Sequence, residues 1–73
     1  MCLAVPAEVK YINGAFAYVQ MMGVSYKVNI ELIDELKVGE YVIVHAGCAI
    51  EKIDKGYFKY LENVLKEMVE NND

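Results

Sequence analysis

The pattern of this sequence predicts a mainly β chain, a small five-stranded barrel that carries a C-terminal amphipathic helix. Three observations lead there. Short runs of alternating apolar and polar residues fill the first two thirds of the chain, glycines and other turn residues punctuate those runs, and after Asp54 the apolar period lengthens from two to between three and four. At 73 residues the chain is expected to form one domain over 1–73, with the barrel at about 2–54 and the helix at about 55–70.

In the first run Leu3, Val5, Ala7, Val9 and Tyr11 occupy odd positions, while Cys2, Pro6, Glu8 and Lys10 occupy even ones. Such alternation marks a strand with one buried face, and it puts Cys2 on the polar face. Pro6 has no N–H, so this strand is expected to lie at an edge or to bulge there. Asn13-Gly14 suits a tight hairpin turn. A second strand, apolar on both faces, then runs from Ala15 to Met21. After Gly23 a third strand directs Val24, Tyr26, Val28 and Ile30 inward, with Ser25, Lys27 and Asn29 outward.

The stretch from Glu31 to Leu36 is too short for a mature helix and reads as one helical turn across a barrel end. Tyr41 to Ala46 is the most β-prone run in the chain. Gly47 interrupts it as a bulge or corner would, and Ala49 to Ile53 makes the fifth strand. Asp54 is placed to cap a helix. Its apolar stripe is expected through Tyr57, Leu61, Val64 and Met68, with Phe58, Leu65 and Val69 beside them. Five short strands bent at glycines and followed by a helix suggest a small, partly open barrel of the OB type; a three-stranded sheet plus a hairpin is the alternative.

Composition narrows the function. A chain this small has a thin core, with little volume for the pocket of roughly 300–1,000 Å³ that small-molecule sites use. That favours a binding role over a self-sufficient enzyme. The formal net charge is −4, from seven basic and eleven acidic residues. The basic residues are all lysines, scattered along the chain, so nucleic acid is not the expected partner. No run approaches the roughly 20 apolar residues of a membrane span. The opening Met1-Cys2-Leu3 has neither the basic region nor the long apolar segment of a secretion leader. A cytoplasmic protein with reduced thiols is expected.

Three side chains could carry chemistry. Removal of Met1 would leave Cys2 with a free α-amine beside its thiol, and a thiolate is a soft ligand for iron, zinc or copper(I) or else a nucleophile. The alternative is an idle residue on a frayed end. His45, the only histidine, is either a metal ligand or proton carrier, or a structural side chain at a strand end. Cys48 follows it by three residues and adds a third candidate donor, one short of a closed zinc site, or else behaves as a small buried hydrophobe. Cys2 as nucleophile with His45 as base would make a Cys–His enzyme. The six tyrosines read mainly as packing residues, although an OB-type module that stacks nucleic acid or oligosaccharide is the competing use of such a surface.

The run Met1-Cys2-Leu3-Ala4-Val5-Pro6 resembles the start of the HypC/HupF family of nickel–iron hydrogenase maturation chaperones. The likeness continues through Gly23-Val24, Val38-Gly39 and Val44-His45-Ala46-Gly47, and so covers nearly the whole chain. The resemblance implies an OB-like barrel with a C-terminal helix. It also implies work with a HypD-type partner to assemble the iron that carries cyanide and carbon monoxide, the Fe(CN)2CO group, and delivery of that group to the hydrogenase large-subunit precursor. On the matching positions, Cys2 corresponds to the essential N-terminal cysteine exposed after Met1 removal, and His45 to the histidine tied to iron handling or partner contact. Pro6 and Gly47 correspond to residues that shape the backbone. Cys48 departs from the family, which usually has an aromatic residue there; Ala7, Gln20 and Ser25-Tyr26 depart as well.

Overall fold

The computed structural model describes residues 4–70. It contains β1 (Val5–Asn13), β2 (Phe16–Met21), β3 (Val24–Asn29), β4 (Tyr41–His45), β5 (Cys48–Ile53) and α1 (Lys55–Glu70). The strands close in the order β1-β2-β3-β5-β4, with β4 pairing back onto β1. This is a mainly β, OB-like barrel with a C-terminal helix. The ring is closed rather than partly open, but narrowly so: β3 meets β5 in parallel at one pair, Asn29 with Cys48.

Tight hairpins set the registers. Ala46 and Gly47 join β4 to β5 with φ of 53° and 81°. Met22 and Gly23 join β2 to β3 with φ of 49° and 82°. Positive φ at both central residues is the type I′ turn, whose twist matches that of the strands it joins. Between β1 and β2 the central pair is Gly14-Ala15, one residue later than expected, with Asn13 opposite Phe16. Only Gly14 of that pair has positive φ, at 62°, as in a type II′ turn.

Nine residues form the core: Ala7, Val9, Ala17, Val19, Val28, Ile30, Val42, Val44 and Ala49. Alanine, valine and isoleucine suffice because a five-stranded ring encloses little space. The expected parity of β1 holds as far as Val9 and then reverses. Val9 pairs with Val19 and Tyr11 with Tyr18, so Lys10 is an extra, bulged residue. The bulge turns Tyr11 out to the surface and lays Ile12 against the core. Pro6 sits opposite Ile43 at a point before the β1–β2 ladder begins at Glu8, so its missing N–H forfeits no bond to β2. It is buried, although it lies on the face expected to be polar.

Two further expectations need correcting. Val24 and Tyr26 have the inward parity of β3 but are 50% and 42% exposed. Among the described residues β5 reaches β3 only at Asn29, so the inner face of that strand's first half stays partly open. The stretch from Glu31 to Leu36 forms turns and no helix. One i→i+3 bond links Ile33 N to the Ile30 carbonyl, and Glu35 adopts φ of 57°, which a right-handed helix cannot accommodate. Ile33 and Leu36 from this segment nevertheless pack against the core.

The helix is capped as expected. Tyr57 N donates to Asp54 Oδ1 at 2.7 Å, and Phe58 N donates to the Asp54 carbonyl at 3.0 Å. Its buried side is rotated from the expected stripe. Phe58 is 5% exposed, its ring centroid 4.4 Å from that of Tyr41, while Tyr57, Val64 and Met68 are exposed. The cause is the short connection. Ile53 pairs with Tyr41 and Asp54 caps at once, so the first turn is pinned beside the Tyr41 ring and Phe58 meets it. Leu61 and Leu65, three and seven residues on, are half-buried on the same side, where the helix contacts β1 and β4. Among the described residues no helix is long and apolar enough to cross a membrane.

Two stability predictions follow from these turns and caps. Ala46 is exposed in a left-handed conformation that costs an L-residue roughly 1–2 kcal/mol, so Ala46→Asn should stabilise by about 0.5–1 kcal/mol, whereas Gly47→Ala should destabilise by about 1–2 kcal/mol. Urea unfolding midpoints would show the two shifts in opposite directions; shifts of the same sign would refute the turn assignment. Asp54→Ala should cost about 1 kcal/mol through loss of the helix cap, measured the same way, and an unchanged midpoint would contradict the capping role.

Candidate functional site

β4 ends on His45. Val42 and Val44 point into the barrel, so alternation puts Tyr41, Ile43 and His45 on the outer face. His45 therefore leaves the core, and it is half-buried. Directly across the type I′ turn its partner is Cys48, the first residue of β5. Cys48 is a free thiol, half-buried rather than a core residue. Residues opposite one another in an antiparallel pair project from the same face, so imidazole and thiol stand side by side.

This corner is held from the other side by β3. Asn29 pairs with Cys48, and its N–H donates to the Gly47 carbonyl at 2.9 Å. The Asn29 side chain is itself engaged. Its Oδ1 accepts from Glu31 N at 2.9 Å and its Nδ2 donates to Glu31 Oε1 at 3.0 Å. Sequence reasoning gave Asn29 no part in this corner. The β3–β5 contact is parallel and non-local, and no local pattern encodes it.

β1 brings the start of the described chain to the same place. Val5 pairs with Val44, one residue before His45, and Ala4 ahead of it is exposed. Pro6 and Ile43 form the next pair. Gly47, with φ of 81°, is the second residue of the turn that sets His45 opposite Cys48. Met1 and Cys2 lie outside the described residues. Among the described residues no three His, Cys, Asp or Glu side chains converge to hold a metal. Among the described residues His45 and Cys48 thus stand as a pair, one imidazole and one thiol.

A separate surface was not anticipated as such. Tyr11 and Tyr18 are exposed with ring centroids 6.0 Å apart, and Lys27 Nζ lies 4.7 Å from the centroid of the exposed Phe16 ring. The bulge at Lys10 creates this patch by turning Tyr11 outward.

The family model described as the HupF/HypC family matches residues 1–65. The chain is 47% identical over 55 residues to the hydrogenase maturation factor HypC of Rhizobium leguminosarum bv. viciae, covering 74% of this chain and 73% of that one. It is 36% identical over 69 residues to the HypC of Azotobacter chroococcum, covering 93% and 82%. With the hydrogenase maturation factor HybG of Escherichia coli K12 it shares 33% identity over 75 aligned positions, covering 93% and 92%. With a family match over most of the chain and relatives this similar over most of their own length, the chain belongs to the HupF/HypC family of hydrogenase maturation factors.

Proposed function

We propose that this chain acts in the cytoplasm with a HypD-type partner, carries the Fe(CN)2CO group on Cys2, and passes it to the large-subunit precursor of a nickel–iron hydrogenase. The observation that supports this reading is where β1 begins. Val5 enters the ladder opposite Val44, beside the hairpin that presents His45. Cys2 precedes Val5 by three residues, and three residues of extended chain reach about 10 Å. The covalent reach of Cys2 therefore includes the outer face that carries His45.

The chemistry is that of a carrier rather than an enzyme. After removal of Met1 a free amine adjoins the thiol, and both can give up a proton when a metal binds. The thiolate is the soft donor that iron accepts, and the His45 imidazole serves as a second donor or as a contact to the partner. Few protein ligands hold the iron group loosely, which suits a cargo that must be handed on. The thin barrel supplies a rigid corner for that exchange, while the partner and the precursor supply the rest of the coordination.

The experiment is replacement of the thiol. Cys2→Ala should keep the circular dichroism spectrum of the parent, lower the Fe(CN)2CO group retained after co-expression with the partner by more than about tenfold, and abolish processing of the large-subunit precursor. Continued iron delivery by that variant would defeat the proposal.

The exposed Tyr11, Phe16, Tyr18 and Lys27 side chains favour a second reading, because OB-type barrels bind oligonucleotides and oligosaccharides on the β2–β3 face. The net charge of −4 opposes nucleic acid in particular. A fluorescence-polarisation titration with single-stranded oligonucleotide at low salt should show no saturable binding; saturable binding that weakens steeply with added salt would establish the second reading.

A further inference from the structure

We propose that His45 and Cys48 form a two-point chelate for a borderline divalent metal ion, zinc or ferrous iron, that does not require Cys2. The inference shares His45 with the function proposed above and depends on that reading in no other way. Its foundation is the register. The two residues are directly opposed across a two-residue turn and project from one face. Their Cβ atoms in such a pair stand about 4.5–5.5 Å apart. An ion held about 2.0–2.1 Å from an imidazole nitrogen and about 2.3 Å from a thiolate sulfur spans that separation.

The pair is preorganised from both sides. The type I′ turn fixes the ends of β4 and β5, and Asn29 grips the turn through Gly47 and flanks Cys48 on its other edge. Little backbone freedom is lost when an ion binds, which favours affinity. The side chains suit the task as well. Cys48 is free and half-buried, and His45 is half-buried on the same surface. Neither appears among the core residues, so metal binding need not disrupt the barrel.

The expected coordination is open. Among the described residues no third His, Cys, Asp or Glu joins the pair, so water fills the remaining positions. On binding, the Cys48 S–H bond breaks, its proton passes to solvent, and the sulfur lone pair forms the bond to the metal. The metal keeps its oxidation state, and no oxidant or reductant is consumed. Such a site exchanges its ion instead of locking it in.

Cobalt(II) titrated into the Cys2→Ala protein tests this. A sulfur-to-cobalt charge-transfer band should grow and saturate at one equivalent. Adding Cys48→Ser should remove the band, and adding His45→Gln should weaken the affinity by at least about tenfold. Circular dichroism identifies any variant that loses the fold, and Cys48→Ala, which leaves a small apolar residue, stands in for the serine variant in that event. Absence of the band from the Cys2→Ala protein, its survival after loss of Cys48, or an affinity indifferent to His45 would each overturn the proposal. Because the assay lacks Cys2 throughout, its failure leaves the carrier function untouched, and failure of the Cys2→Ala processing assay leaves this chelate untouched.

Discussion

The barrel closes through one narrow contact, and that contact braces the corner where His45 and Cys48 face each other. β3 and β5 run parallel and meet only where Asn29 pairs with Cys48, backed by the bond from Asn29 N to the Gly47 carbonyl. Parallel strands cannot be joined by a hairpin, so this contact comes from the return of the chain through residues 30–40. Ile33 and Leu36 pack against the core along that path, and the Glu40 carbonyl accepts a bond from Val9 N at 2.8 Å before β4 begins. Once closed, the ring brings three things to one corner: the end of β4 with His45, the start of β5 with Cys48, and the entry of β1 at Val5.

The corner then divides chemistry from structure in a simple way. Val42, Val44 and Ala49 face inward and are buried, whereas His45 and Cys48 occupy the opposite face of the same two strands. Side chains on that face can change without opening a cavity. The Cys48 thiol can therefore sit on this face while the core next to it stays intact. The helix occupies another sector, against β1 and β4 with Phe58 on Tyr41.

Local signals made much of this fold legible. Alternation located β1 and β3, turn residues and β-prone runs located the other three strands, the change of period located the helix, and Asp54 announced its cap. What escaped was set by contacts distant in sequence or by single inserted residues. One bulge at Lys10 reversed Tyr11 and Ile12, and with them the character of the outer β1–β2 surface. The rotation of the helix was decided by Tyr41, which no helical periodicity can register. Val24 and Tyr26 have the right parity for burial, but the barrel does not extend over them. For the candidate site, the residues themselves were readable: His45 and Cys48 stood out as donors three residues apart, with Gly47 between them marking a bulge or corner, but the turn that opposes them came from the register. Asn29, the residue that holds that turn from the side, could not be found without the closed ring. The reading of Cys2 came from the family resemblance and from thiol chemistry, and the residue lies outside the described part of the chain.

The central claim is that the N-terminal thiol carries iron at the His45 corner. Native mass spectrometry of the chain co-expressed with a HypD-type partner tests it most directly, because one spectrum reports the N-terminus, the bound metal and the complex together. The account predicts a chain lacking Met1 that bears iron with its cyanide and carbon monoxide ligands, and no such added mass on a Cys2→Ala chain prepared in the same way. The iron with its cyanide and carbon monoxide ligands carried equally by both chains, or carried by a chain that still retains Met1, would contradict it.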